Sequence, residues 1–121
     1  MISFAIDDKE YSSDSIPEIF TIINQEIKEQ SEIWFSFNTA EYPCMAICTN
    51  NQYAAVTLFE NKLAMWLSYN KKNKAEIDFI AGGVEWIPEP NAVISLEDAF
   101  LCAKEFLNTN KKPICIDWQD L

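Results

Sequence analysis

The sequence predicts an α+β fold: an antiparallel β-sheet of about five to seven strands with two α-helices packed on one face. Three observations carry this expectation. Two segments, one early and one late in the chain, repeat apolar residues at helical spacing behind a serine cap. The stretch between them is a series of short apolar runs joined by turns too brief for crossover helices, which implies antiparallel neighbours. Finally, the 121 residues are 49% hydrophobic and show no Pro/Ser/Gly-rich linker, repeat or low-complexity tract, so residues 1–121 form one domain.

Taken in order, ISFAI opens the chain as a short strand, and the polar residues 7–14 read as a loop. Ser15-Ile-Pro-Glu18 has the pattern of a capping box, with Pro17 in the first turn, where its missing N–H costs little. Ile16, Ile19, Phe20, Ile23 and Ile27 then mark an amphipathic helix ending near Gln30. Residues 32–38 alternate Ile33, Phe35 and Phe37 with Trp34, Ser36 and Asn38, as a half-buried strand does. Further strands are expected at 43–49, 53–59 and 63–69, with turns at Asn50-Asn51 and at Glu60-Asn61-Lys62. Residues 70–74 (NKKNK) are an exposed turn. Residues 75–87 read as one strand kinked at Gly82-Gly83. Ser95 caps the second helix, whose stripe is Leu96, Ala99, Phe100, Ala103, Phe106 and Leu107; Asn110 and Pro113 end it. Residues 114–118 close the fold as a strand.

Composition removes whole classes of chemistry. Histidine is absent and all nine basic residues are lysine. No Ser-His-Asp or Cys-His nucleophile, histidine metal site or arginine finger can therefore be built. The two glycines are adjacent, so no Gly-rich phosphate loop exists. The four cysteines (Cys44, Cys48, Cys102, Cys115) lie in apolar runs and read as small buried hydrophobes. Their spacing does not give the two close pairs of a zinc site, so neither metal nor cofactor is expected. Nineteen acids against nine lysines give a net charge of −10. Residues 1–61 hold ten acids and two lysines, a net −8, and residues 62–121 nine acids and seven lysines, a net −2. Such a field repels nucleic acid and anionic membranes and attracts cationic partners. The one basic cluster (Lys71, Lys72, Lys74) reads as a solvated turn. With no basic-then-apolar opening segment and no 18-residue apolar run, the expected location is cytoplasmic.

The C-terminal segment GGVEWIPEPNAVISLEDAFLCAKEFLNTNKKPICIDWQ resembles immunity protein family one of bacterial polymorphic toxin and contact-dependent growth inhibition systems. The matching positions are Ile94, Leu96, Glu97, Ala99, Phe106, Leu107, Thr109, Pro113 and Trp118. Asn110 stands where that family has Gly, and Gln119 where an acid follows the tryptophan. The resemblance covers about a third of the chain, and its motif is mostly scaffold. It implies a cytoplasmic antitoxin without catalysis. Its partner would be the C-terminal domain of a cognate secreted toxin, commonly a nuclease or deaminase.

The contact set expected for that task is Glu41, Tyr42, Glu60, Asn61, Glu85, Trp86 and Glu89, which are acids, aromatics and turn residues beside or between strands. Trp34, Trp66, Trp86 and Trp118 read as core residues or as binding anchors, with Trp118, inside ICIDW, read as packing. The prolines of Trp86-Ile-Pro-Glu-Pro make that segment a rigid surface loop. Two other functions fit the residues: a small hydrolase using carboxylates among Asp78, Glu85, Glu89 and Asp117, and an interaction module using an exposed sheet edge.

Overall fold

The computed structural model describes residues 1–38 and 40–121. Along them the elements run β1 (Ile2–Ile6), β2 (Lys9–Ser13), α1 (Ile16–Glu26), β3 (Gln30–Phe37), β4 (Cys44–Asn50), β5 (Tyr53–Phe59), β6 (Met65–Tyr69), β7 (Phe79–Ala81), β8 (Val84–Trp86), a 3-10 turn (Pro90–Ala92), β9 (Ile94–Ser95), α2 (Leu96–Thr109) and β10 (Asp117–Asp120). The fold is α+β. Eight strands form one antiparallel sheet in the order β10-β6-β5-β4-β3-β1-β2, with β9 paired to the start of β5. β7 and β8 form a separate two-stranded hairpin.

Period-two alternation divides the sheet into two faces. Ile2, Phe4 and Ile6 of β1, Ile33 and Phe35 of β3, Met45 and Ile47 of β4 and Val56 and Leu58 of β5 pack into one cluster. Ile19, Phe20 and Ile23 of α1 and Ala99, Cys102, Ala103 and Phe106 of α2 complete it. Both helices therefore cover the same face. Phe35 and Phe106 have no exposed surface, and each contributes roughly 1.5–3 kcal/mol by leaving water. On the opposite face a smaller cluster of Cys48, Ala55, Phe79 and Val93 seats the β7–β8 hairpin against β4 and β5.

The helix ends follow their capping chemistry. Ser15 Oγ accepts from the Glu18 amide at 3.2 Å and Ser95 Oγ from the Asp98 amide at 3.0 Å. Asn110 takes the left-handed conformation (φ 55°) that closes α2, as its position predicts.

Several sequence expectations need correction. Residues 9–13 are not loop but strand. Asp7, with φ 56°, turns the chain so that Ile6 pairs with Lys9 and the polar KEYSS run becomes an edge strand. Helix α1 stops at Glu26 rather than near Gln30. Ile27 is extended, and Ser31 Oγ takes the Lys28 amide at 2.9 Å, so the chain enters β3 at Gln30. β6 starts at Met65, not Leu63, because Asn61 Oδ1 binds the amides of Leu63 and Ala64 and prolongs the turn. Gly82 and Gly83 have φ of 59° and 78°, which reverses the chain, so 75–87 is a hairpin and not one kinked strand. The last strand is 117–120, not 114–118. The Ile114 amide binds Glu105 Oε2 at 2.7 Å, Ile114 is 91% exposed and Cys115 is exposed too, contrary to the expectation that all four thiols are buried. Cys44 is half-buried, while Cys48 and Cys102 are buried. The scaffold positions of the resemblance fall mainly in the core: Ile94, Ala99, Phe106, Leu107 and Pro113 are buried, Leu96 and Trp118 half-buried, and Glu97 and Thr109 exposed.

Candidate functional site

The helix-free face can be written out from the strand register. One row across the sheet reads Glu10, Ala5, Trp34, Ala46, Thr57, Leu67 and Gln119. The next reads Ser12, Ser3, Ser36, Cys44, Phe59 and Met65. A third, Glu32, Cys48 and Ala55, meets the hairpin, with Cys48 and Ala55 packed under Phe79. The hairpin thus roofs one row and leaves the two others open.

Trp34 is the largest side chain left uncovered there, at 37% exposure. It stacks on Phe59 with ring centroids 5.6 Å apart and planes 16° from parallel. These rings come from β3 and β5, about 10 Å apart with β4 between them. Small side chains at Cys44 and Ala46 on β4 let them meet above it.

A groove of about 430 Å³ runs beside this stack, between Trp34, Phe59 and Met65 on one side and Ala81, Val84 and Trp86 of the hairpin on the other. A second groove, of about 660 Å³, lies on the far side of Trp34 over Ser3, Ala5, Ser12 and Ser36. Among the described residues, every charged side chain lining either groove is a glutamate: Glu32 and Glu85 in the first, Glu10 in the second. The Glu32 carboxylate accepts from the Gly82 amide at 3.2 and 3.3 Å, tying the hairpin tip to β3. That single N–H leaves the carboxylate most of its acceptor capacity.

The thiols on this face are poor nucleophiles. Burial, with Glu32 beside it, pushes Cys48 up to about 12. Burial and then Glu41 raise Cys44. Since only the thiolate attacks, both stay protonated and inert near neutrality. Four residues apart on a strand, their Cα atoms lie about 13 Å from each other, too far for both to reach one small ion.

The structure gathers some of the sequence-derived contact set and scatters the rest. Glu85 and Trp86 line the first groove, although Trp86 is half-buried against Phe79 rather than displayed to solvent. Glu41 and Tyr42 are exposed and lead into Cys44 at the open end of the face. Glu60 accepts from the Trp66 indole at 3.2 Å, and Asn61 caps its own turn, so both serve the β5–β6 connection. Glu89 is exposed at the start of the 3-10 turn. Of the carboxylates considered for hydrolysis, only Glu85 lines the groove. Asp78 holds Gln30 through its side chain and Asn50 through its carbonyl, and Asp117 is on the β10 edge.

Sequence reasoning missed Glu10, Glu32, Phe59 and Met65 as members of one surface. Glu10 carries no strand signal of its own, because the polar KEYSS run lacks apolar alternation and Asp7-Asp8 is not one of the usual two-residue hairpin pairs. Phe59 and Met65 carry no local signal, because they join Trp34 only through strand register. No family model matches the chain, and no curated protein matches it. Among the described residues no helix is long and apolar enough to cross a membrane.

Proposed function

We propose that the chain is an immunity protein that neutralises a cognate bacterial toxin domain, a nucleic-acid-targeting nuclease or deaminase, by stoichiometric binding without catalysis. The observation that carries this reading is the helix-free face, an aromatic floor whose charged lining residues are all glutamates among those described. A toxin acting on nucleic acid needs a positive cleft to hold phosphates, and an anionic surface competes for that cleft. The net charge of −10 speeds encounter with such a partner and disfavours wrong ones. Affinity then comes from desolvating an aromatic centre, and Trp34 stacked on Phe59 supplies one. The C-terminal resemblance points to the same task, carried out in the cytoplasm.

The test uses the C-terminal domain of the large effector that this reading places immediately upstream of the gene. Co-expression of this chain should restore growth of cells making that domain, and the purified proteins should form a 1:1 complex. Unrelieved toxicity, or no complex at micromolar concentrations, would overturn the reading.

A further inference from the structure

We propose that Trp34 is the seat of an arginine side chain supplied by the partner, with the guanidinium stacked on the open indole face and paired to Glu32. This rests on the reading that the helix-free face is the contact surface, and not on the partner's being a toxin.

The molecule contains a filled cation seat on another indole, where the acid bonds the indole N–H instead of the cation. Lys112 Nζ lies 3.2 Å from the centroid of the Trp66 ring, while Glu60 accepts from that indole's N–H. There the chain provides acid, indole and cation itself. At Trp34 it provides only the first two. Glu32 is two residues back on the same strand and the same face, about 7 Å away along β3. Glu10 stands in the same cross-strand row beyond Ala5. Among the described residues no lysine lies over Trp34. Its indole is braced by Phe59 and flanked by small residues (Ala5, Ala46), which leave room for a flat group.

Arginine fits this seat better than lysine. A guanidinium is planar, stacks on indole, sheds water more readily than an ammonium and engages a carboxylate with two parallel N–H groups. A neutral apolar side chain would fill the groove but leave Glu32 and Glu85 without a counter-charge.

The experiment titrates the full ¹⁵N-labelled chain with the blocked peptide acetyl-Leu-Arg-Leu-amide, and separately with the same peptide carrying citrulline, its neutral isostere. The Trp34 indole N–H resonance, assigned from the Trp34→Phe spectrum, should move saturably with a millimolar Kd for the arginine peptide. Binding should weaken at least fivefold for citrulline. Trp34→Ala, followed through the backbone amides of residues 32–36, should weaken arginine binding about tenfold. Glu32→Gln should bring the two peptides close together without altering citrulline binding, which keeps the test valid should the alanine variant fail to fold. Equal binding of both peptides at Trp34 overturns the arginine seat while leaving the face a docking surface. Absence of a saturable shift at Trp34, or arginine-peptide affinity read from the backbone amides of residues 32–36 that survives Trp34→Ala in folded protein, overturns it as well. Retained peptide discrimination in a chain that does not relieve toxicity would instead overturn the proposed function and keep the seat.

Discussion

Replacing Ser68 by alanine tests how the wall of the groove is held. Ser68 has no exposed surface, and its Oγ makes two bonds, accepting from the Val56 amide at 2.9 Å and donating to the Ala92 carbonyl at 2.7 Å. The β5–β6 ladder ends at the Thr57–Leu67 pair. One step further the hydroxyl takes the place of a backbone partner and fastens the segment that returns from the hairpin to β9. Ser68→Ala removes little volume, so its main effect is to leave one buried N–H and one buried C=O without partners. At roughly 1–3 kcal/mol for each such group, and less for the carbonyl, the loss should be about 2–4 kcal/mol. In urea the midpoint should fall with m unchanged, and Tm should drop by about 8–16 °C. A loss below about 0.5 kcal/mol would refute the reasoning, because it would mean that both groups find other partners when the hydroxyl is gone.

Alkaline pH should destabilise the fold. Burial raises Cys48 and Cys102, so the folded chain keeps protons that the unfolded chain releases near the ordinary thiol value. Stability is then complete below about pH 8.5 and falls as pH rises toward 12, by up to about 1.4 kcal/mol per pH unit for each thiol. Urea midpoints at pH 8 and pH 10 should show the fall, and the double variant Cys48→Ala/Cys102→Ala should be flatter; equal slopes would contradict the burial. Asn110 supplies the left-handed residue that ends α2. Asn110→Ala should therefore cost about 1 kcal/mol in thermal unfolding while Asn110→Gly costs nothing, and equal effects would show that the cap is not limiting. The association rate with the toxin domain proposed as partner, followed by stopped flow, should fall at least tenfold between about 50 and 500 mM salt if that domain is cationic. A salt-independent rate would remove electrostatic steering from the account.

Local signals carried much of the architecture. Serine caps and apolar stripes placed both helices, and the turn residues on either side of the apolar run 53–59 gave β5 with its observed bounds. What local signals could not carry is whichever feature depends on a distant partner. Ile114 and Cys115 look like strand residues, yet a side chain of α2, Glu105, takes the Ile114 amide. KEYSS looks like loop, because an edge strand that pairs on one side has no need of a hydrophobic face. The candidate site illustrates the same limit. Glu85 and Trp86 stood out for their proline-rich surroundings, whereas Glu10, Trp34 and Phe59 become one surface only after five strands have found their register.

The most direct measurement compares two double charge reversals for their affinity to the toxin domain by calorimetry. Glu10→Lys with Glu85→Lys alters the helix-free face; Glu18→Lys with Glu97→Lys makes the same change in net charge on the first turns of the two helices. The account predicts a loss of at least a hundredfold for the first pair and no more than a few-fold for the second. Equal losses, or a larger loss from the helix pair, would contradict it.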